Sequence, residues 1–188
     1  MTNFLTTRTS RRWALGLLLS ASTFAAVAHA GLTSIGGSDI QFKAAGPAGL
    51  KIDGTGRGIS VSEAGGKIKV SAPLKSLKTG ISLRDKHLKD ALNVKKHPTA
   101  TLTVARSKLT FPDDKKKAKG QVVGKMTLNG VTRPQSFNYK VERTGSDYHV
   151  QGLAKVDITK FKIEKPCYLG VCVNENVKIK VKFKVREK

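Results

Sequence analysis

The chain lacks most of what usually announces chemistry. Its 188 residues include two cysteines, four histidines and one tryptophan, and 13 acidic residues stand against 35 basic ones. No Gly-x-Ser-x-Gly elbow, no His-Glu-x-x-His and no phosphate-cradling glycine loop occurs, so the common nucleophile, zinc and nucleotide signatures are missing. Gly54-Thr55-Gly56-Arg57-Gly58 is rich in glycine but lies between strand patterns with no helix after it. A hydrolase would have to draw its base from His87, His97 or His149, and nothing in their spacing suggests one. Cys167 and Cys172 are not spaced as a C-x-x-C redox or zinc site, and no histidine stands near them. We therefore expect no catalytic residue, no metal site and no cofactor. Long apolar runs are scarce as well. Only the stretch from Trp13 to Val27 could be weighed as a membrane span, and it is shorter than the roughly 20 residues that a spanning helix needs. A multi-pass membrane protein is excluded.

Positive charge is what the chain has in excess, a formal +22, together with 39% apolar residues, which rules out a disordered basic tail. A field of that sign gathers polyanions, whether nucleic acid, anionic lipid or another acidic partner. The N-terminus narrows the choice. Arg8, Arg11 and Arg12 precede an apolar run from Ala14 through Val27, and Ala28-His29-Ala30 supplies the small residues of a signal-peptidase site. We expect a signal peptide over residues 1–30, cleaved after Ala30, and a single domain over 31–188. An uncleaved N-terminal anchor is the alternative, although no basic stop-transfer cluster follows. Ser10-Arg11-Arg12 resembles a twin-arginine signal, whereas Ala14 and the leucine-rich run do not favour that route. No cysteine follows to accept a lipid. Cleavage leaves 32 basic against 13 acidic residues, +19, in a periplasmic or secreted protein that meets little nucleic acid but much anionic lipid.

Beyond residue 31 the pattern is one of short strands. Ile40 to Phe42, Leu50 to Asp53, Ile59 to Val61, Ile68 to Val70 and Thr99 to Val104 alternate apolar with polar residues, and Gly65-Gly66 marks a hairpin. Val122, Gly124, Met126 and Leu128 share a face up to Asn129-Gly130, the strongest hairpin signal, after which Phe137, Tyr139 and Val141 continue. Val150, Gly152, Ala154 and Val156 give a further face. In the last strand Val177, Ile179, Val181, Phe183 and Val185 alternate with Lys178, Lys180, Lys182, Lys184 and Arg186. Such patterning means one wet and one dry face. About eight runs at this spacing point to an all-β antiparallel barrel or sandwich, with the barrel favoured because it leaves no edge. The one helical pattern lies between Arg84 and Asn93, and Pro112 to Lys117 reads as a polar turn. Small inward residues at Gly124, Gly152 and Ala154 leave volume, so the barrel either holds an apolar ligand or fills itself with bulkier side chains. The two cysteines read as a disulfide in an oxidising compartment, closing a tight turn at Gly170.

Thr79-Gly80-Ile81-Ser82-Leu83-Arg84-Asp85-Lys86-His87-Leu88 is similar to the signature of YceI-like proteins, in which a Thr-Gly-Ile turn leads into an Arg-Asp-x-His helix. The segments Phe42 to Gly54, His97-Pro98-Thr99-Ala100, Leu128 to Pro134 and Leu169-Gly170-Val171 agree in order, although many relatives place an aromatic residue before the proline of His97-Pro98. The resemblance implies an extended, lipocalin-like antiparallel β-barrel with a short helical lid, exported to the periplasm. Its apolar pore would hold a polyisoprenoid chain, a quinone tail or prenyl lipid, with no catalysis. It also allows a C2 homodimer, which would have to turn its basic faces away from the interface.

Candidate pore or lid contacts are the inward positions Leu88, Leu92, Leu102, Val104, Met126, Leu128, Phe137, Tyr139 and Val150, together with Phe161. Arg84 and His87 are candidate head-group contacts. The structural reading of the same motif has Asp85 capping the helix, and Arg84 and His87 tying it to strand ends. His149, opposite in parity to Val150, faces solvent. Two functions remain: a carrier or store for an isoprenoid lipid that approaches anionic membrane with its lysine faces, or a cationic interaction protein with a filled barrel that binds an acidic partner or membrane surface.

Overall fold

The computed structural model describes residues 31–168 and 170–188. The expected signal peptide at residues 1–30 lies outside the described residues. In chain order the elements are β1 (Leu32–Ala45), β2 (Lys51–Gly56), β3 (Ser60–Ala64), β4 (Lys67–Pro73), α1 (Ser82–Ala91), β5 (Thr99–Ala105), β6 (Lys117–Leu128), β7 (Val131–Thr144), β8 (Asp147–Asp157), β9 (Cys167–Tyr168), β10 (Val171–Cys172) and β11 (Asn176–Glu187). Single 3-10 turns at Leu74–Ser76, Arg106–Lys108 and Ile158–Phe161 join strands at their ends.

Antiparallel pairing runs in the order β11-β8-β7-β6-β5-β4-β3-β1, and β11 pairs back onto β1, which closes an eight-stranded barrel. The expected barrel is the observed fold. β2 lies outside this ring, paired to the second half of β1 from Ile40↔Gly56 to Ala45↔Lys51. β9 and β10 form a separate two-stranded hairpin. Hairpin chemistry sets the registers. Gly65-Gly66 between β3 and β4, and Asn129-Gly130 between β6 and β7, all have φ between 49° and 73°, the left-handed conformation that a tight two-residue turn requires. β11 runs beside β8 from Asn176↔Asp157 to Arg186↔Asp147 without a shift, so its alternation puts valines and isoleucines inside and lysines outside along its whole length.

The interior has two parts. One end is packed solid around Leu32, Val61, Ile68, Val104, Tyr139, Val141, Tyr148 and Val185, with Leu109 and Phe111 laid against it. Arg106 seals that end: its guanidinium donates to Glu63 and Glu187 and lies 4.1 Å over the Phe111 ring. Leu32 N–H also donates to Glu63, at 3.2 Å. Burial opposes the charge on Arg106, but the hydrogen bonds it donates to Glu187 and Glu63 outweigh it and hold the pKa above the ordinary arginine value. Pro112, placed by the sequence pattern in a polar turn, is buried. The other end holds Leu74, Leu92, Val94, Leu128, Val156, Ile158, Phe161 and Ile163, with α1 beside it. The helix begins two residues earlier than Arg84 and ends at Ala91.

Candidate functional site

Between the two packed regions lies a cavity of about 630 Å³, walled almost entirely by aliphatic and aromatic side chains. The barrel is not filled. The depth of the wall is set by β11, whose Val177, Ile179 and Val181 face in, and by β1, whose Ile40 and Phe42 face them from the neighbouring strand. α1 brings Leu88, Ala91 and Leu92 onto the cavity, and Ile81 and Leu83 stand at its mouth 54% and 62% exposed. Val171 of the β9–β10 hairpin, also exposed, stands there too. Large apolar side chains left in solvent around an apolar opening mark it as the entrance.

Six of the candidate contacts line this cavity: Leu88, Leu92, Leu102, Met126, Leu128 and Phe137. Val104 and Tyr139 belong to the solid core at the sealed end, and Val150 packs against it. Tyr139 instead accepts a hydrogen bond from Thr110 N–H at 2.9 Å. Phe161, 2% exposed, packs in the core at the helix end, off the cavity wall. Gly152 and Ala154 are on the wall, but the space beside both glycines is taken: a Cβ at Gly124 would meet Leu102 Cδ1 and Thr103 O at 2.9 Å, and one at Gly152 would meet Val181 Cγ2 at 2.9 Å. Sequence patterning missed Leu50, just before β2, Ile52 of β2, and Leu74 and Leu77 around the first 3-10 turn, all of which line the cavity. Leu50 and Ile52 carried the signal in their alternation.

The polar motif sits at the mouth. Asp85 does not cap the helix; the residue at that position is Ile81, which makes no side-chain cap. Instead Thr79 donates to Asp85 Oδ1 twice, from its N–H at 2.5 Å and its hydroxyl at 2.6 Å. Those two bonds, the hydroxyl's foremost, hold the Asp85 carboxyl below the usual range, with Lys89 and Arg84 adding to the effect. Arg84 Nη2 donates to Thr79 O at 2.9 Å, so the Arg84 and Asp85 side chains together clamp the turn before α1. Arg84 Nε is buried with no partner among the described residues. Arg84 and His87 both border the cavity. Cys167 and Cys172 are joined by a disulfide across directly paired positions of β9 and β10, and Cys167 with Pro166 forms part of the mouth. His149 is exposed, as its parity requires.

Against known proteins, the profile of the YceI-like domain matches residues 20–185. A UPF0312 protein of Pseudomonas aeruginosa is 40% identical over 86 residues, which is 43% of this chain and 40% of that protein. A UPF0312 protein of Yersinia enterocolitica is 42% identical over 84 residues, with the same shares. The chain thus spans about two fifths of the length of these curated relatives. In three dimensions it resembles a polyisoprenoid binding domain from Saccharophagus degradans implicated in plant cell wall breakdown, with a TM-score of 0.69 at 14% identity over 85% of this chain and 99% of that one. BcnA of Burkholderia cenocepacia follows, with a TM-score of 0.59 at 16% identity over 77% of this chain and 95% of that one. At such identities the likeness is one of fold.

Proposed function

The chain belongs to the YceI-like domain family, and from that premise we propose that it binds an isoprenoid lipid, with the tail in the barrel cavity and the head group at the mouth. The observation that carries this reading is an apolar cavity of about 630 Å³ sealed at one end and rimmed by exposed apolar side chains at the other. A relative of the same fold is described as a polyisoprenoid binding domain, which supports the choice of ligand class. Size supports it too. An apolar cavity of about 150 Å³ takes one benzene, so by proportion this one takes roughly 25 carbons, or about five isoprene units. At about 0.8 kcal/mol per buried carbon that is roughly 20 kcal/mol of gross transfer energy, near the ceiling for non-covalent binding before chain ordering is subtracted. The tail needs no polar contact to stay bound, and any longer tail extends out past Leu83.

Arg84 and His87 are the head-group contacts in this reading. The Nε donor of Arg84 is unspent, and a guanidinium suits a phosphate or a quinone oxygen. The protein acts as a carrier or store rather than an enzyme, exported to the periplasm by the signal at residues 1–30. Its mouth, with Ile81, Leu83 and Val171, is the part that meets the membrane from which lipid is drawn. Native mass spectrometry of the protein purified from its own envelope tests all of this at once: the expected result is a co-purified isoprenoid mass on a chain beginning at Gly31. Repeated recovery of an empty barrel that also fails to take up geranylgeraniol would refute it.

A further inference from the structure

The positive charge is not spread evenly around the barrel. By alternation, the outer faces of β3, β4 and β5 carry mainly serine and threonine, with Lys67 and Lys69 the lysines among them. On the opposite wall the register sets lysines directly against one another. Lys119 is paired with Lys140 across β6 and β7, Lys155 with Lys178 across β8 and β11, and Lys178 in turn with Lys43 across β11 and β1. Directly opposed side chains stand about 5 Å apart at Cβ, and like charges in that relation destabilise a sheet. Of these five lysines, among the described residues, only Lys43 has a carboxylate within reach, that of Asp53 at 3.3 Å.

The same wall is hollowed. A depression of about 810 Å³ is bordered by Lys119, Lys140, Gln151 and Lys182, with Lys117, His149 and Lys184 beside them and two carboxylates, Asp39 and Glu142, also on its border. The first four occupy one register row across β6, β7, β8 and β11. That row spans three strand spacings, about 14 Å. Lys119 and Lys140 repel one another across the row; Asp39 stands opposite Lys182 and Glu142 is paired with Lys117 at 3.3 Å, but five lysines border the depression against these two carboxylates, so the surplus is positive and a bound anion offsets it. The shape selects the kind of anion, because a flat bilayer cannot follow a recess running across strands, whereas a narrow chain can.

We propose that this outer face of β6, β7, β8 and β11 is a binding site for a linear polyanion, a chain whose phosphate or sulfate groups lie along the Lys119–Lys140–Gln151–Lys182 row. The site is separate from the lipid cavity, from which it is divided by the barrel wall, and stands whether or not that cavity holds a lipid.

Long-chain inorganic polyphosphate and heparin are suitable probes, measured by calorimetric titration at several salt concentrations against the wild type and a K119Q/K140Q/K182Q variant. We expect the variant to melt at the same or a higher temperature in low salt, to bind either probe at least tenfold more weakly, and to show a salt slope flatter by about 2–3. A K67Q/K69Q variant on the opposite face should bind like the wild type. Equal losses in both variants would reduce the effect to diffuse charge and overturn the site. So would wild-type affinity in the triple variant. Retention on phosphatidylglycerol vesicles that depends on the row, with neither polymer bound, would overturn the polymer in favour of a membrane surface.

Discussion

Replacing Ala154 by leucine sets the stability of the empty barrel against its capacity. Ala154 lies on β8, between Phe137 of β7 and Ile179 of β11 in the register, and all three border the cavity. Leucine adds three carbons that point into open apolar space. If they are fully buried without strain, each contributes about 0.8 kcal/mol, so the ligand-free protein gains about 2.4 kcal/mol. For a domain of this size that raises the melting temperature by roughly 5–10 °C. The same volume is lost to the tail, and an equal loss of transfer energy weakens a cavity-filling isoprenoid about fifty-fold. Thermal melting of delipidated protein and competitive binding of geranylgeraniol measure the two sides separately. Ala100→Leu on β5, another wall position, should repeat the pattern. A fall in melting temperature for both variants would show that the space is not available to side chains. Unchanged geranylgeraniol binding with a raised melting temperature would show that the tail lies elsewhere.

Three further outcomes are expected. Arg106→Met should destabilise the barrel by about 3–5 kcal/mol in urea unfolding, because it leaves the Glu63 carboxylate, whose side chain is 5% exposed, without its cation; an effect under about 1 kcal/mol would mean that the plug does not depend on that pair. The pKa of Asp85 lies below its ordinary 3.8 in the folded protein, so its contribution is complete above that value and is lost as pH falls through the folded value. The Thr79 amide resonance should therefore shift only at strongly acidic pH, and Asp85→Asn should abolish the step. Removing the disulfide with Cys167→Ser and Cys172→Ser opens a small ring worth about 2 kcal/mol. Lipid should then exchange faster through the mouth that the hairpin borders, with the rest of the barrel unchanged by circular dichroism.

Much of the barrel was readable because alternation reports which face a side chain takes. β11, the β6–β7 hairpin and the β3–β4 hairpin follow directly from their residues. Alternation does not report depth along the barrel axis, and this is why it cannot separate Val104, Tyr139 and Val150, which stand at the sealed end, from the pore contacts. Depth depends on the stagger between strands, which no single strand encodes. The first half of β1 was hidden by Gly36-Gly37, where the pairing with β11 shifts register between Ile35 and Asp39. The plug formed by Arg106, Leu109 and Phe111 was unreadable for another reason: it is held by Glu63 and Glu187, which are 43 and 81 residues away from Arg106. Asp85 looked like a helix cap because acids favour that position, but a hydroxyl and an amide at Thr79 offered it better donors.

The closure between β1 and β11 also fixes the order of assembly. Leu32 is paired with Glu187, and Lys188 N–H donates to Gly31 O, so the two ends of the described domain are zipped to one another. No other pairing can substitute for that seam. β1 is made before β11 and must wait with one side unpaired until β11 arrives, and a pairing between strands so far apart in the chain is slow to find. Until then the edge of β8 that pairs with β11 has no neighbour either. Loss of β11 would leave two sticky edges, on β1 and β8, in a ring that otherwise has none, and such a fragment should aggregate rather than persist as a smaller barrel.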